Sequence, residues 1–364
     1  MYATSLLVQS WRDTPTRVGN AFGLSGTEKI ITKHDTSPEF DIKAGVRQGC
    51  VLSPRLFSCV LEVALKKWRE QLQDGGLDFG DGGIPLLDLR FADDILLFAT
   101  SSDEAARMVD ALVTCLKEVG LALNASKTKI LTTQAQPGKT VTTQDGLEME
   151  ILDASKAHKW LGCLLSTLNA GNREADLDFR LQATSKAFYA NKWVLCDKNV
   201  SLNSRIKFFD SVVTSVVRFG AGQRKLYKSE LRKLDVHCRK LLRQVVGPPG
   251  NIDWTQPWHS ILHQWNQRVV EQMQLNGFEL WSNRCILEYW KFVQYVSVLD
   301  DRRWLKRALA WNPGGGRPGR SFDLWDAPVT KFCRWQNIGE WQVAAQDKAL
   351  WLQFLPDFVT FMHM

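Results

Sequence analysis

Three observations predict an α+β fold that passes into helices. Residues 53–133 change from helical apolar spacing to two apolar strands, then to a second helix and a further strand. Residues 166–250 combine helical spacing with a surplus of positive charge. Residues 251–364 hold eleven of the fifteen tryptophans and follow the breaker cluster Gly247-Pro248-Pro249-Gly250. Three regions are expected: 1–165, 166–250 and 251–364.

The first region is the most explicit. Ser53-Pro54 precedes Leu56, Phe57, Val60, Leu61, Ala64, Leu65 and Trp68 at helical intervals, with Ser53 expected as N-cap and Pro54 in the first turn. Leu86–Arg90 and Ile95–Ala99 read as two strands about a tight turn at Ala92-Asp93-Asp94. Ser101-x-x-Glu104 has the spacing of a capping box and opens a helix that stops near Gly120. A strand is expected over 129–133.

Composition narrows the class. The 364 residues are 45% hydrophobic and 23% charged, which argues against a disordered chain. No run approaches the roughly 20 apolar residues that span a bilayer, so no membrane association is expected. The eight cysteines are scattered, without a CxxC pair, and no leader pattern opens the sequence; reduced thiols in an intracellular protein are expected. The net charge of +7 matters less than its placement.

Phe91-Ala92-Asp93-Asp94 lies between strongly apolar strands. Two adjoining carboxylates are unfavourable when both are ionised, unless a cation compensates them. A hard divalent ion, Mg²⁺ above all, uses few carboxylates together with substrate phosphates. Alone, an Asp-Asp turn is far more often structural than catalytic. The apolar flanks favour a cleft floor over a casual loop.

Further blocks stand around this turn in a fixed order: Lys43 to Phe57 (with Gly45-Val46-Arg47-Gln48-Gly49 and Leu52-Ser53-Pro54), Gly120-Leu121-Ala122-Leu123-Asn124 to Lys127-Thr128, and His158-Lys159-Trp160-Leu161-Gly162. A weaker block is Ser201–Lys207 with Ser215–Ala221. Together they resemble the reverse transcriptases of non-LTR (LINE-like) retrotransposons over about residues 40–245. The resemblance implies a partial right-hand polymerase palm with an acidic β-hairpin, a helical thumb and a helical Trp-rich C-terminal region. It implies RNA-directed DNA synthesis from an RNA template and a DNA primer, with deoxynucleoside triphosphates and a two-ion Mg²⁺ site. The implied metal ligands and catalytic residues are Asp93 and Asp94, with Lys127 neutralising the triphosphate or protonating pyrophosphate. Gly45, Arg47, Gln48 and Gly49 would meet template and substrate, Phe91 the substrate sugar, and Trp160, Leu161 and Gly162 the primer; Trp160 stands where the family usually has Tyr. Nuclear placement is implied as well.

One block of the pattern is missing. The family carries, before the Gly45–Gly49 segment, a strand with a metal-binding Asp. In residues 1–44, Asp13 is followed closely by Pro15, which is unsuited to a central strand, and Asp35 and Asp41 lie too near Gly45 and lack an apolar flank. Residues 18–43 look like the hairpin that follows the missing block. An N-terminally shortened enzyme with an incomplete metal site is therefore expected, and the rival is a non-catalytic nucleic-acid-binding remnant. An unrelated acidic-hairpin nucleotidyltransferase leaves Gly45 to Phe57 unexplained.

Residues 201–250 hold eleven Lys and Arg against three acids. Arg224, Lys225, Lys228, Arg232 and Lys233 are candidates for a nucleic-acid backbone, while Leu231, Leu234, Leu241 and Leu242 supply an apolar face; either a solvated helix pair or a phosphate-binding stripe satisfies this pattern. Trp254, Trp258 and Trp265 are expected in the core, and Trp304 and Trp311, near several cations, at the surface. His259 and His263 share a helical face without a third ligand in view.

Overall fold

The computed structural model describes residues 4–8, 26–29, 35–42, 46, 49–72, 75–132, 140–144, 146–152, 157–165, 171–311 and 324–364. They fall into two compact units. One comprises Met1–His158, Leu165–Asn169 and Trp311–Gly314; the other comprises Lys159–Leu164, Ala170–Ala310 and Gly315–Met364.

The first unit is the α+β part. Its elements are β1 (Thr4–Val8), β2 (Gly26–Glu28), β3 (Phe40–Ile42), α1 (Ser53–Gln71), β4 (Asp88–Phe91), β5 (Asp94–Ala99), α2 (Ser102–Glu118), β6 (Lys129–Thr132), β7 (Thr140–Thr142) and β8 (Glu148–Leu152). Six strands form one sheet in the order β4-β5-β1-β6-β8-β7. Only the β6–β8 pairing is parallel. β2 and β3 pair separately as an antiparallel ribbon within residues 18–43.

Helices α1 and α2 cover one face of the sheet. Leu61, Ala64, Leu65 and Trp68 of α1 meet Met108, Val109, Leu112 and Leu116 of α2 over Ile95, Leu97, Ile130 and Ile151. Each large aliphatic side chain buried this way contributes about 1.5–3 kcal/mol. The Trp68 indole N–H donates to the Met108 carbonyl at 2.8 Å, so the one polar atom of this large ring is satisfied inside the core.

The helix starts differ from expectation. Ser53 is not the N-cap of α1: Leu52 holds that place, and Ser53 is the first helical residue and buried. The N–H groups that a Ser53 hydroxyl would cap, those of Arg55 and Leu56, both donate instead to the Leu52 carbonyl at 3.0 Å. At α2 the Ser101 hydroxyl accepts from the Glu104 N–H as expected. Glu104 does not close the reciprocal half of the box. Its buried carboxylate accepts from the Gly76 and Thr100 N–H groups and the Thr100 hydroxyl, and so ties the 75–77 segment to the helix.

The second unit is helical apart from Lys159–Leu164, the inner part of a two-stranded hairpin, β9 (His158–Trp160) and β10 (Cys163–Leu165). The helices are α3 (Gly171–Ala190), α4 (Lys192–Leu195), α5 (Leu202–Phe209), α6 (Ser215–Arg218), α7 (Lys228–Val246), α8 (Trp258–Leu275), α9 (Trp281–Ser297), α10 (Trp304–Ala310), α11 (Ala327–Gln336), α12 (Trp341–Ala344), α13 (Lys348–Gln353) and α14 (Leu355–His363). A π-helical turn, Asp210–Thr214, joins α5 to α6.

Gly247–Gly250 is a loop within one core, not the domain boundary that its breaker residues suggest. Buried side chains from Leu177 to Met362 form a single cluster. α9 runs through it. Asp235 of α7 accepts from the Ser282 N–H and hydroxyl at 2.9 and 2.8 Å, satisfying a donor at the first turn of α9 from across the core. Trp281 donates to the Thr214 hydroxyl at 3.0 Å. Trp290 and Trp351 stack at 3.9 Å, and each indole N–H donates to the other residue's carbonyl.

Most tail tryptophans are thus packing residues, but the sequence assigned four of them wrongly. Trp254 and Trp258 are both 62% exposed, because Trp254 precedes α8 and Trp258 begins it, beyond the stretch that buries Ile261, Val269 and Met273. Trp265 is half-buried against the core, as expected. Trp304 and Trp311 are half-buried and not freely exposed: Arg307 lies over the Trp304 ring, and Trp311 packs edge-on to Phe79.

A second unit that ends at residue 250 would lose α9 and the Trp290–Trp351 pair. That fragment is expected to lack a cooperative thermal transition by circular dichroism. In the whole chain, Trp351→Ala should destabilise this unit by about 3–5 kcal/mol in urea unfolding. A cooperative, soluble 159–250 fragment would contradict this account.

Candidate functional site

The acidic turn is fixed by register. Phe91 pairs directly with Asp94, so only Ala92 and Asp93 reverse the chain. Ala92 takes φ +53 while Asp93 does not enter positive φ, the pattern of a type II′ hairpin, in which glycine is usual at the first position. Alanine there stores strain, a feature that gathers at functional sites. β5 can hold such a turn because Ile95, Leu96, Leu97 and Ala99 are all buried.

The sheet brings a cation to the same end. Val8 of β1 lies opposite Ile95 of β5, and Leu7 lies opposite Lys129 of β6. The acidic turn, the C-terminal end of β1 and the start of β6 therefore share one end of the sheet. The 3₁₀ turn Ala125–Lys127 leads directly into β6. Two strand spacings, about 9–10 Å, separate β5, which begins with Asp94, from β6, which the Lys127 turn leads into.

The electrostatics follow from that placement. Asp93 and Asp94 are both half-buried. Burial, and then the adjoining charge of Asp93, push the Asp94 carboxyl above its ordinary value, while Lys127 pulls it part of the way back. The three residues singled out as catalytic in the sequence are thus brought together. Phe91, beside them, is 64% exposed.

Other expected site residues are placed less completely. Gly49 lies in a turn at φ +87 with open space about it, while Gly45, Arg47 and Gln48 lie outside the described residues. Trp160-Leu161-Gly162 forms the β9–β10 turn. Leu161 and Gly162 are both at positive φ, the type I′ pattern. A Cβ on Gly162 would come within 3.2 Å of the Phe219 ring.

Arg180, which sequence reasoning missed, holds this hairpin. It is 5% exposed, donates to the Gly162 carbonyl at 2.9 Å and stacks on Phe219 at 5.0 Å. Its only sequence signal was a cation within an otherwise apolar helix face.

The basic candidates divide in two. Lys228, Arg232 and Lys233 are exposed on α7, whose opposite face buries Leu231, Leu234, Leu241 and Leu242, so stripe and core occupy opposite faces. Lys233 is paired with Asp178 at 2.5 Å. Arg224 and Lys225 are half-buried; Arg224 bonds Asp176 and the Val217 carbonyl, and Lys225 lies over the Tyr227 ring. His259 and His263 are exposed, and among the described residues no three His, Cys, Asp or Glu side chains gather as a metal site.

Residues 13–165 match the reverse transcriptase (RNA-dependent DNA polymerase) family. That segment takes in the Gly45–Phe57 block, the acidic turn, Lys127 and the β9–β10 turn. The chain is also similar to an uncharacterised transposon-derived protein of Caenorhabditis elegans, with 27% identity over 281 residues, 74% of this chain and 95% of that protein. The second similarity is longer than the reverse transcriptase match and so takes in residues outside 13–165. No helix among the described residues is long and apolar enough to cross a membrane.

Two expectations follow. A carboxyl group whose pKa is raised by folding binds its proton more tightly in the folded state, so ionised Asp94 opposes folding. That penalty is full above the folded pKa and vanishes as pH falls below the unfolded value near 4. Asp94→Asn should therefore raise the melting temperature at neutral pH, by an amount that shrinks toward pH 4. A lower melting temperature at neutral pH would contradict the electrostatics described. The two strained turns should respond with opposite sign. Ala92→Gly should stabilise the chain, while Gly162→Ala should cost roughly 1–3 kcal/mol in urea unfolding.

Proposed function

We propose that the chain is a reverse transcriptase segment from a non-LTR retrotransposon. On this reading residues 1–165 are a partial palm and 166–250 a helical thumb, which bind an RNA template paired with a DNA primer. The observation that carries the proposal is the strained Ala92-Asp93 turn. It sets two carboxylates beside Lys127 inside the stretch that matches the reverse transcriptase family.

Asp93 and Asp94 fit one Mg²⁺ ion. Magnesium is held by one or two carboxylates together with substrate phosphates, and a cation here would relieve the repulsion that raises Asp94. When bound, the ion would supply charge neutralisation for phosphoryl transfer. A two-ion site needs a further carboxylate from a neighbouring strand. β1 holds the strand position beside the turn, and its sequence Thr-Ser-Leu-Leu-Val carries no acid. We therefore read the two-ion centre as incomplete in the described residues.

The remaining roles belong to this chain's own side chains. Lys127 would balance the charge of a triphosphate approaching the turn. The exposed Phe91 ring would lie against the substrate sugar, and Gly49 would admit close approach of the base pair. The turn at Trp160-Leu161-Gly162, locked by Arg180, would rest against the primer strand. Lys228 and Arg232 would meet backbone phosphates on the open face of α7, whereas Arg224 is better suited to holding the fold.

The acid-free β1 favours a second reading, a nucleic-acid-binding remnant without chemistry. Primer extension by the purified chain on an RNA template with Mg²⁺, beside Asp93→Ala, separates the two. Extension that the variant abolishes would support a polymerase whose further carboxylate comes from outside the described residues or from a partner. No extension, with salt-sensitive binding of primer–template, would support the remnant. Absence of both extension and binding would overturn both readings.

A further inference from the structure

The corner between α3 and α4 carries a surface that the polymerase reading does not use. Phe188 and Leu195 turn inward and are fully buried, whereas Tyr189 and Trp193 turn outward, 54% and 77% exposed. Trp193 is more exposed than any other tryptophan among the described residues. In the same stretch Lys186, Lys192 and Lys198 are all exposed, and Lys192 lies over the Tyr189 ring. The one acid between Lys186 and Lys198, Asp197, is half-buried and accepts from the Asn199 N–H at 2.9 Å.

The corner is held in shape. Asn191 interrupts the helix, and its side-chain amide donates to the Ala187 carbonyl at 2.8 Å. Its backbone N–H donates to Phe188, and its carbonyl accepts from Val194 and Leu195. Tyr189 packs edge-on to Phe188 at 5.3 Å, and the Lys192 ammonium lies 5.7 Å from the Tyr189 ring centre. Tyr189 is thus anchored by Phe188 and carries Lys192 over one face, while Trp193 stays 77% exposed.

A large aromatic left this exposed forgoes burial that would stabilise the fold, which points to a partner. A protein partner would call for an apolar patch, and lysine is depleted at the centre of such interfaces. Lysines around open rings instead fit a ligand with both π-faces and phosphates. A duplex offers phosphates but keeps its bases stacked, whereas unpaired nucleotides offer both.

We propose that Tyr189 and Trp193, flanked by Lys186, Lys192 and Lys198, bind unpaired nucleotides of single-stranded nucleic acid. The site deepens the nucleic-acid reading above, and rests on it for the class of partner. It would hold a strand by stacking and charge, without base-specific hydrogen bonds, and so tolerate sequence.

The test uses the whole chain and two labelled probes, a thymidine oligonucleotide and a primer–template duplex with blunt ends, read by fluorescence anisotropy. The double variant Tyr189→Ala/Trp193→Ala should weaken oligonucleotide binding about 10- to 100-fold, with Trp193→Phe keeping most of the affinity. Duplex affinity should change by less than about twofold, since stacked bases offer the rings no face. Replacing the three lysines by glutamine should lower the salt slope for the single strand by about 2. A 5-iodouracil oligonucleotide should crosslink to the tryptic peptide 193–198. Circular dichroism checks folding, which these outward side chains should not disturb. Unchanged single-strand affinity in the double variant, with duplex binding intact, overturns this site and leaves the polymerase-derived reading standing. Equal loss on both probes also overturns it. A chain that binds neither probe overturns both proposals, and a protein captured through Trp193 in place of nucleic acid would reassign the surface.

Discussion

The pairing of Phe91 with Asp94 is the constraint on which the candidate site depends. It leaves two residues to reverse the chain, forces Ala92 into a glycine-like conformation and sets two carboxylates next to each other. Backbone strain of this kind costs roughly 1–3 kcal/mol, and the raised Asp94 adds a charge penalty at neutral pH. Both are outweighed locally. β5 alone buries Ile95, Leu96 and Leu97, each contributing about 1.5–3 kcal/mol, and it is clamped by β4 on one side and β1 on the other. The unfavourable turn persists because the strand behind it cannot shift register without exposing this row.

The second unit solves a different problem. Its α7 face is strongly basic, and a repulsive face needs a firm interior. Stacked Trp290 and Trp351 close their indole N–H groups on each other's carbonyls, so two large rings enter the core without an orphaned donor. Asp235 does similar work, placing a buried carboxylate on the first turn of α9. The tail is thereby part of the body that carries the basic stripe, and a role for residues 251–364 as scaffold follows from packing alone.

What the sequence disclosed, and what it hid, divides along local and non-local lines. The acidic hairpin, the Ser101 cap and the two faces of α7 were legible because each is set by residues within a few positions of one another. The start of α1 was misjudged by one residue because the Leu52 carbonyl already accepts the N–H groups of Arg55 and Leu56. Trp254 and Trp258 were misplaced because burial depends on where a helix overruns its core, which spacing cannot reveal. Lys127 could be named from a motif, but its influence on Asp94 arises only through the β5-β1-β6 order. Arg180 gave only a faint signal, since its partners Gly162 and Phe219 lie far from it in sequence on either side.

The same sheet order bears on whether chemistry survives. β1 ends beside the acidic turn, and its sequence Thr4 to Val8 carries no acid. A third carboxylate at that strand end would press Asp94 further from ionisation, and the fold would hold all three ionised only with a cation in place. With an uncharged β1, the turn needs no more than the partial compensation that Lys127 provides. Such a sheet is self-consistent without metal, which is what a binding scaffold requires. An active centre would instead need a carboxylate brought to this strand end, and with it a fold whose stability depends on the ion. Metal-dependent stability is therefore the physical signature that would separate a working polymerase from a retained scaffold, independently of any turnover.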